Sequence, residues 1–244
     1  MKIKAIFVSH LHGDHFLGIP GLLQTMDMSG RKDKILLAGP EGFGDVMERL
    51  IETCGDVTYD VNIVEATDGD EFEFGGFVVN AFDVDHGIPA LGFLFRENDR
   101  PGRFDRSKAV SLGIHPGPDF TRLQNGENVN NVKPCDVIGP ARKGRRVVYS
   151  GDTVKCDRII NMAKDADVLI HEATYLSEDS LLAEEHMHST ARDAASAAKD
   201  ANVSVLFVTH MSNRYDDLTK IEEECRKVFP NTLLAEDLML FTVK

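Results

Sequence analysis

The chain has 244 residues, 42% of them hydrophobic, which is enough for one compact domain with a substantial core. The net charge of −13 argues against nucleic acid as a partner of the chain as a whole, because phosphate binding requires lysine and arginine. The chain has no apolar run long enough to cross a membrane. Its four widely spaced cysteines argue against a disulfide framework and a cysteine-based zinc site, and they favour a cytoplasmic setting.

The first part of the chain alternates strand-like and helix-like segments. Short β-branched apolar runs predict strands, and apolar residues at helical spacing predict helices. The predicted elements are a strand at 3–9, a helix at 17–28, a strand at 35–38, a helix at 44–53, and strands at 59–65, 71–74, 77–84 and 91–96.

The segment 97–144 contains five prolines and six glycines and shows little periodicity. Such a long irregular stretch is uncommon inside a compact domain and is usually functional or disordered, so we predict an inserted arm that projects from the body. Residues 96–146 carry eleven lysines and arginines against six acids, so this segment is +5 and the rest of the chain is −18. A basic segment of this kind can steer a polyanion, although charge alone also fits an ordinary solvated loop.

Regular alternation resumes after the arm. The predicted elements are a strand at 147–150, a helix at 156–163, a strand at 168–171, a helix from the Ser189-Thr190 cap to about 201, a strand at 203–208, a helix at 218–228 and a strand at 239–243. This order predicts a single α/β domain over residues 1–244, a sandwich of mixed sheets with outer helices.

A group of metal-ligand residues follows the first predicted strand directly: His10, His12, Asp14 and His15. In an extended segment His10 and His12 point the same way, and Gly13 permits a sharp turn that brings Asp14 and His15 to a second position. Two ligand pairs from one loop suit two adjacent metals. Imidazole with carboxylate favours zinc, with manganese, iron or cobalt as alternatives. A histidine-rich surface loop is the simpler alternative.

Three further candidate ligands also follow predicted strands: His86, Asp152 and His210. Each has an ordinary structural alternative. His86 and His210 could be a turn histidine and a strand-end histidine, and Asp152 could cap the helix that follows it. Their positions at strand ends would allow one shared site.

His10-Leu11-His12-Gly13-Asp14-His15 after a strand resembles the signature of the metallo-β-lactamase fold, which implies an αββα sandwich. Later motifs resemble those of the ribonuclease Z family, which cuts the 3′ trailer from precursor tRNA and leaves a 3′-hydroxyl. These motifs are Gly18-Ile19-Pro20-Gly21, Gly139-Pro140, Ser150-Gly151-Asp152-Thr153, His171-Glu172-Ala173-Thr174, His188-Ser189-Thr190 and Ala235-Glu236-Asp237.

The resemblance implies two Zn²⁺ per chain and a role for each motif. It assigns His10, His12 and His86 to one zinc, Asp14, His15 and His210 to the other, and Asp152 to both. Asp14 would accept a proton from the attacking water, and His188 would contact the scissile phosphate or protonate the leaving oxygen. Glu172 would orient His188, although a simple strand-end role for His171 and Glu172 stays open.

The resemblance also implies that the arm grips tRNA, with Arg103, Arg106, Lys108 and Arg122 as candidate contacts, and that the chain forms a homodimer. Two departures stand out. Gln124 replaces one basic residue of the family's arm. The family also begins well before this chain, so we expect an N-terminally incomplete fold whose sheet has an exposed edge.

Two other functions remain open from the sequence. One is hydrolysis of a small phosphodiester or ester by the same fold, which the acidic body favours. The other is an inactive truncated homologue.

Overall fold

The structure, a computed structural model, describes residues 2–243 and divides into two compact units. One unit is the inserted segment Glu97–Arg145, and the other contains the residues on both sides of it. The inserted unit spans nearly the same residues as the predicted arm, while its projection from the body stays a prediction.

The smaller sheet of the main unit has three parallel strands in the order β1-β2-β3. They are Ala5–Phe7 (β1), Ile35–Gly39 (β2) and Val61–Glu65 (β3). Within the described residues β1 is paired on one side only, so it forms a sheet edge. The expected N-terminal incompleteness of the fold stays a prediction.

The larger sheet has seven strands in the order β10-β9-β8-β7-β6-β5-β4. They are Glu71–Glu73 (β4), Phe77–Asp83 (β5), Leu91–Glu97 (β6), Arg146–Tyr149 (β7), Val168–Glu172 (β8), Val205–Thr209 (β9) and Thr232–Leu234 (β10). Strands β7 to β10 are parallel, whereas β4 pairs antiparallel with β5 and β6 pairs antiparallel with β7.

Helices cover the outer face of each sheet. Ile19–Met28 (α2) and Phe43–Cys54 (α3) pack on the smaller sheet, and the one-turn helix Gly13–Phe16 (α1) precedes them. Asp157–Met162 (α7), Ala191–Asp200 (α9) and Thr219–Val228 (α10) pack on the larger sheet.

Aromatic side chains join the two sheets. Phe7 of β1 lies 5.2 Å from Phe93 of β6 and 5.3 Å from Phe72 of β4, measured between ring centroids. With helices outside both sheets, this arrangement confirms the predicted αββα sandwich.

Helix α9 begins at the cap that the sequence predicted. Thr190 accepts a hydrogen bond from the Asp193 amide at 3.2 Å, and the Asp193 carboxylate accepts one from the Thr190 amide at 3.1 Å. The buried face of the helix is made of alanines, so the helix lies close to the sheet. This cap fixes the chain immediately after His188.

The inserted unit contains more regular structure than we predicted. Three short helices, Arg106–Ser111 (α4), Pro118–Gln124 (α5) and Pro134–Val137 (α6), surround a core built on Ile114 and Leu123. Two of the five prolines, Pro118 and Pro134, occupy the first helical positions of α5 and α6, where a missing amide is harmless.

The predicted final strand at 239–243 is wrong. The last strand is β10, and the Met239 amide instead donates to the Glu236 carbonyl at 3.1 Å in a turn. Leu238 has φ of 63°, which interrupts an extended path. Phe241 packs against Phe207 with ring centroids 5.0 Å apart, while Leu238 and Leu240 are 98% and 97% exposed.

The sequence also did not predict helix Ser180–Glu185 (α8) and the 3₁₀ turn before it, Ser177–Asp179. Within residues 2–243, no helix is both long enough and apolar enough to span a bilayer.

Candidate metal centre and active site

The predicted ligands meet where strands of both sheets end. His10, His12, Asp14 and His15 follow β1 of the smaller sheet, whereas His86, Asp152 and His210 follow β5, β7 and β9 of the larger one. Five groups have ligating atoms that lie within 4.8 Å of one another. Three consist of predicted ligands only, namely His10 with His12 and His86, His10 with His15 and Asp152, and Asp14 with His15 and His210. Two also include His188, namely His86 with Asp152 and His188, and Glu172 with His188 and His210.

Asp152 lies at the centre of the cluster. Its Oδ2 atom is 3.7 Å from His10 Nε2, 3.4 Å from His15 Nε2 and 3.2 Å from His210 Nε2. Asp152 is buried, and Cys156 is the N-cap of helix α7, so the interpretation of Asp152 as a helix cap is wrong. One carboxylate oxygen facing three imidazoles has the geometry of a shared ligand.

The surroundings of His10 show whether a metal fits this cluster. The residue is completely buried, Ser9 Oγ lies 3.1 Å from its Nδ1 atom, and its Nε2 atom has no hydrogen-bond partner among the described residues. Burial, followed by the charges of His15 and His86, lowers the pKa of His10 to about 3. The imidazole is therefore neutral, which is the form that ligates metals. This donor set fits a divalent metal.

Outer hydrogen bonds orient two of the imidazoles. Thr174 Oγ1 donates to Glu172 Oε2 at 2.6 Å and therefore accepts from His210 Nδ1 at 2.9 Å. His86 Nδ1 donates to the Met187 carbonyl at 2.9 Å. In both residues the remaining Nε2 atom faces the cluster, an arrangement typical of metal-ligating histidines. His210 reaches its position through a left-handed backbone, with φ of 57°.

Glu172 and His188 form a charge-assisted hydrogen bond beside the cluster. His188 Nδ1 lies 2.7 Å from Glu172 Oε1, which also accepts from the Thr153 amide at 2.9 Å. Burial by itself would raise the pKa of Glu172, but the bonds from His188, Thr174 and Thr153 lower it overall. Burial likewise opposes protonation of His188, yet the Glu172 carboxylate raises the pKa of His188 overall. The pair therefore favours imidazolium beside carboxylate.

The Asp14 carboxylate is 76% exposed and lies 3.5 Å from His15 Nε2. Slight burial raises its pKa, but its own backbone amide and nearby histidines lower it overall. Asp14 is therefore an ionised and accessible group at the mouth of the cluster.

The four predicted RNA contacts are all exposed residues of the inserted unit. Arg122 donates to Glu127 at 2.9 Å and to Asp119 at 3.3 Å, so two carboxylates already offset its charge. Arg103, Arg106 and Lys108 form no ion pair within the part of the chain that the structure describes.

Sequence reasoning assigned no role to Thr174 or Met187, although both orient predicted ligands. Thr174 belongs to the motif that begins at His171, and Met187 directly precedes His188. Their partners, His210 and His86, are 36 and 101 residues away in the sequence. Only their position beside recognised motifs in the sequence could have indicated Thr174 and Met187.

An αββα sandwich with a histidine and aspartate cluster at its strand ends defines a hydrolase of the metallo-β-lactamase type. Residues 1–106 and 116–211 match the family model described as the β-lactamase superfamily domain. This family and the cluster together imply that the chain binds divalent metal.

Comparison with individual proteins is more specific. The chain is 49% identical to ribonuclease Z of Methanosarcina mazei over 98% of this chain and 80% of that protein. It is 42% identical to ribonuclease Z of Archaeoglobus fulgidus over 99% of this chain and 81% of that protein. The crystal structure of the short form of human tRNase Z superposes with a TM-score of 0.68 and 28% identity, covering 100% of this chain and 80% of that chain. The chain belongs to the ribonuclease Z family.

Proposed function

We propose that this chain is a metal-dependent endoribonuclease that removes the 3′ trailer from precursor tRNA and leaves a 3′-hydroxyl on the tRNA. One observation carries the proposal: the Asp152-centred cluster lies beside the hydrogen-bonded pair of buried Glu172 and half-buried His188 in a member of the ribonuclease Z family. The cluster supplies a metal site, and the pair supplies a proton donor.

The metal assignment is part of the proposal. His10, His12 and His86 would hold one Zn²⁺, Asp14, His15 and His210 the second, and Asp152 both, with Mn²⁺, Fe²⁺ or Co²⁺ as alternatives. Such metals, when bound, lower the pKa of water and stabilise charge that develops on a phosphodiester.

The chain's own residues complete the reaction. The exposed Asp14 carboxylate accepts a proton from the attacking water. The bond between phosphorus and the 3′-oxygen of the tRNA then breaks. Protonated His188, held by Glu172, donates its Nε2 proton to that oxygen, which becomes the 3′-hydroxyl. The trailer leaves with the phosphate.

The inserted unit is the proposed tRNA contact. Arg103, Arg106 and Lys108 are exposed cations without carboxylate partners among the described residues, so they suit phosphate binding. Arg122 contributes less, because Asp119 and Glu127 offset its charge. Replacing the first three by alanine should weaken tRNA binding and flatten its salt dependence, whereas Arg122→Ala should change both only slightly.

We also propose a homodimer in the cytoplasm. The family resemblance supports the dimer, and the wide spacing of the four cysteines favours a reducing compartment. Light scattering of the purified chain should give a mass close to twice 27.0 kDa. A mass of one chain at all concentrations would contradict the dimer.

Cleavage of a precursor tRNA by the purified chain, with both products mapped, tests the function. The expected result is one cut at the trailer that depends on metal and on Asp14. Removal of residues 100–136 should abolish this cut but retain hydrolysis of bis(p-nitrophenyl) phosphate. Intact cleavage of both substrates would contradict the role of the inserted unit. A chain that holds no metal, or that is unaffected by Asp14→Ala, would support an inactive homologue.

A further inference from the structure

We propose that Met187 is a positioning residue whose backbone carbonyl fixes His86 and thereby couples the metal centre to the turn that carries His188. The inference rests on the proposed function in one respect, since it takes His86 as a metal ligand. It adds a residue that has no chemical group of its own in the reaction.

The hydrogen bond between these residues fixes the tautomer of His86. His86 is buried, and its Nδ1 atom lies 2.9 Å from the Met187 carbonyl oxygen. A carbonyl can only accept, so the proton of the neutral imidazole must be on Nδ1. The lone pair is then on Nε2, which lies 3.3 Å from His12 Nδ1 inside the cluster. Loss of the carbonyl would release both the tautomer and the ring orientation.

The carbonyl reaches His86 because Met187 has a left-handed backbone, with φ of 57°. This conformation is unusual for a residue that is not glycine, asparagine or aspartate. Bonds from the Met187 amide to the Glu184 carbonyl at 3.3 Å and from the His188 amide to the Ala183 carbonyl at 2.8 Å tie the turn to the end of α8.

A second left-handed turn packs against the first. Gly87, next to His86, has φ of 75°, and a Cβ atom added there would lie 3.3 Å from Met187 Cγ. Glycine suits this position for two reasons: it adopts the positive φ without strain, and it leaves room for the Met187 side chain. Each turn holds the other, and the His86–Met187 bond lies between them.

The same turn also sets His188. The rings of His86 and His188 lie 4.8 Å apart, and Glu172 holds His188 from the other side. A displacement of residues 186–188 would therefore move a metal ligand and the proposed proton donor together. Met187 links two functions that the motifs present separately.

Two substitutions of similar size separate this role from general packing. Met187→Val places a β-branched residue in a left-handed turn, which it resists, whereas Met187→Asn places a residue that tolerates this conformation. We expect Met187→Val to weaken metal binding by about tenfold or more relative to the parent. Met187→Asn should keep an affinity much closer to that of the parent. Gly87→Ala should weaken binding from the opposite turn. Zinc affinity is measured by competition with a chelator.

Asn202→Val is the matched control, because Asn202 also has a left-handed backbone, with φ of 54°, and is not among the residues that form the cluster. It should lower thermal stability without changing zinc affinity. In the metal-free protein, ¹⁵N spectra of the histidine rings should show His86 protonated at Nδ1, and Met187→Val should mix the two tautomers. Thermal unfolding of each metal-free variant confirms that it is folded.

Three results would overturn the proposal: unchanged zinc affinity in folded Met187→Val, a loss no larger than that of Asn202→Val, or a His86 proton on Nε2 in the parent. These readouts do not involve RNA. A chain that binds zinc as expected but does not cut precursor tRNA would contradict the proposed function and leave the role of Met187 intact.

Discussion

Replacement of Glu172 by glutamine tests the proton-donor assignment most directly. The carboxylate is buried and accepts hydrogen bonds from His188, from the Thr153 amide and from both the amide and hydroxyl of Thr174. Glutamine has nearly the same shape but no charge. A hydrogen bond to a charged group contributes about 1.5–3 kcal/mol, so kcat should fall by roughly tenfold to 150-fold.

The pH profile gives the sharper test. Glu172 raises the pKa of His188, so the imidazolium persists to higher pH than in a free histidine. Activity that needs this proton is lost as pH rises through the raised pKa. Glu172→Gln removes the cause, so the alkaline limb of kcat should move to lower pH.

Thr174→Ser is the control for this experiment, because it keeps the hydroxyl that bonds Glu172 and His210. Its profile should match that of the parent. An alkaline limb that stays in place in Glu172→Gln, with kcat within about twofold of the parent, would refute the assignment of His188 as the donor.

Three further predictions follow from burial and packing. Asp152→Asn should weaken metal binding by more than about 100-fold, as measured by metal content after dialysis, and full retention of metal would contradict the shared-ligand role. Burial raises the pKa of the Cys225 thiol to about 12. A thiol reagent at mildly alkaline pH should therefore label exposed Cys54 and react with Cys225 only after the protein is unfolded. Rapid labelling of Cys225 in the folded protein would show that the thiol is accessible. Leu123→Ala should destabilise the inserted unit by about 2–5 kcal/mol and weaken tRNA binding while hydrolysis of a small phosphodiester continues, whereas equal loss of both activities would show that the unit also supports the metal site.

The sequence was sufficient for most of the main unit because periodicity and strand ends carry the relevant information. The strands that precede His86, Asp152 and His210 are regular apolar runs, and ligands after such runs are expected to meet at one sheet edge. The predicted fold is confirmed, because the same apolar runs define its strands. The roles of the individual ligands stay predictions.

The failures have different physical causes. The short helices of the inserted unit depend on a local core that includes Ile114 and Leu123, and a few residues per helix give too little periodicity to detect. The tail after β10 contains an apolar run that resembles a strand, but the turn at Leu238 interrupts the extended path. Thr174 and Met187 act through contacts with distant histidines, which no local pattern contains.

The closure of the inserted unit has a consequence for how such enzymes diversify. The Glu97 amide donates to the Arg145 carbonyl at 2.9 Å, and strands β6 and β7 pair antiparallel with Arg96 opposite Arg146. The chain thus departs and returns at neighbouring positions, so the segment between them is a cassette. Natural variation or engineering could shorten, recharge or exchange it while β7 keeps its register and still delivers Asp152. Substrate preference can then change while the metal centre and its catalytic residues stay the same.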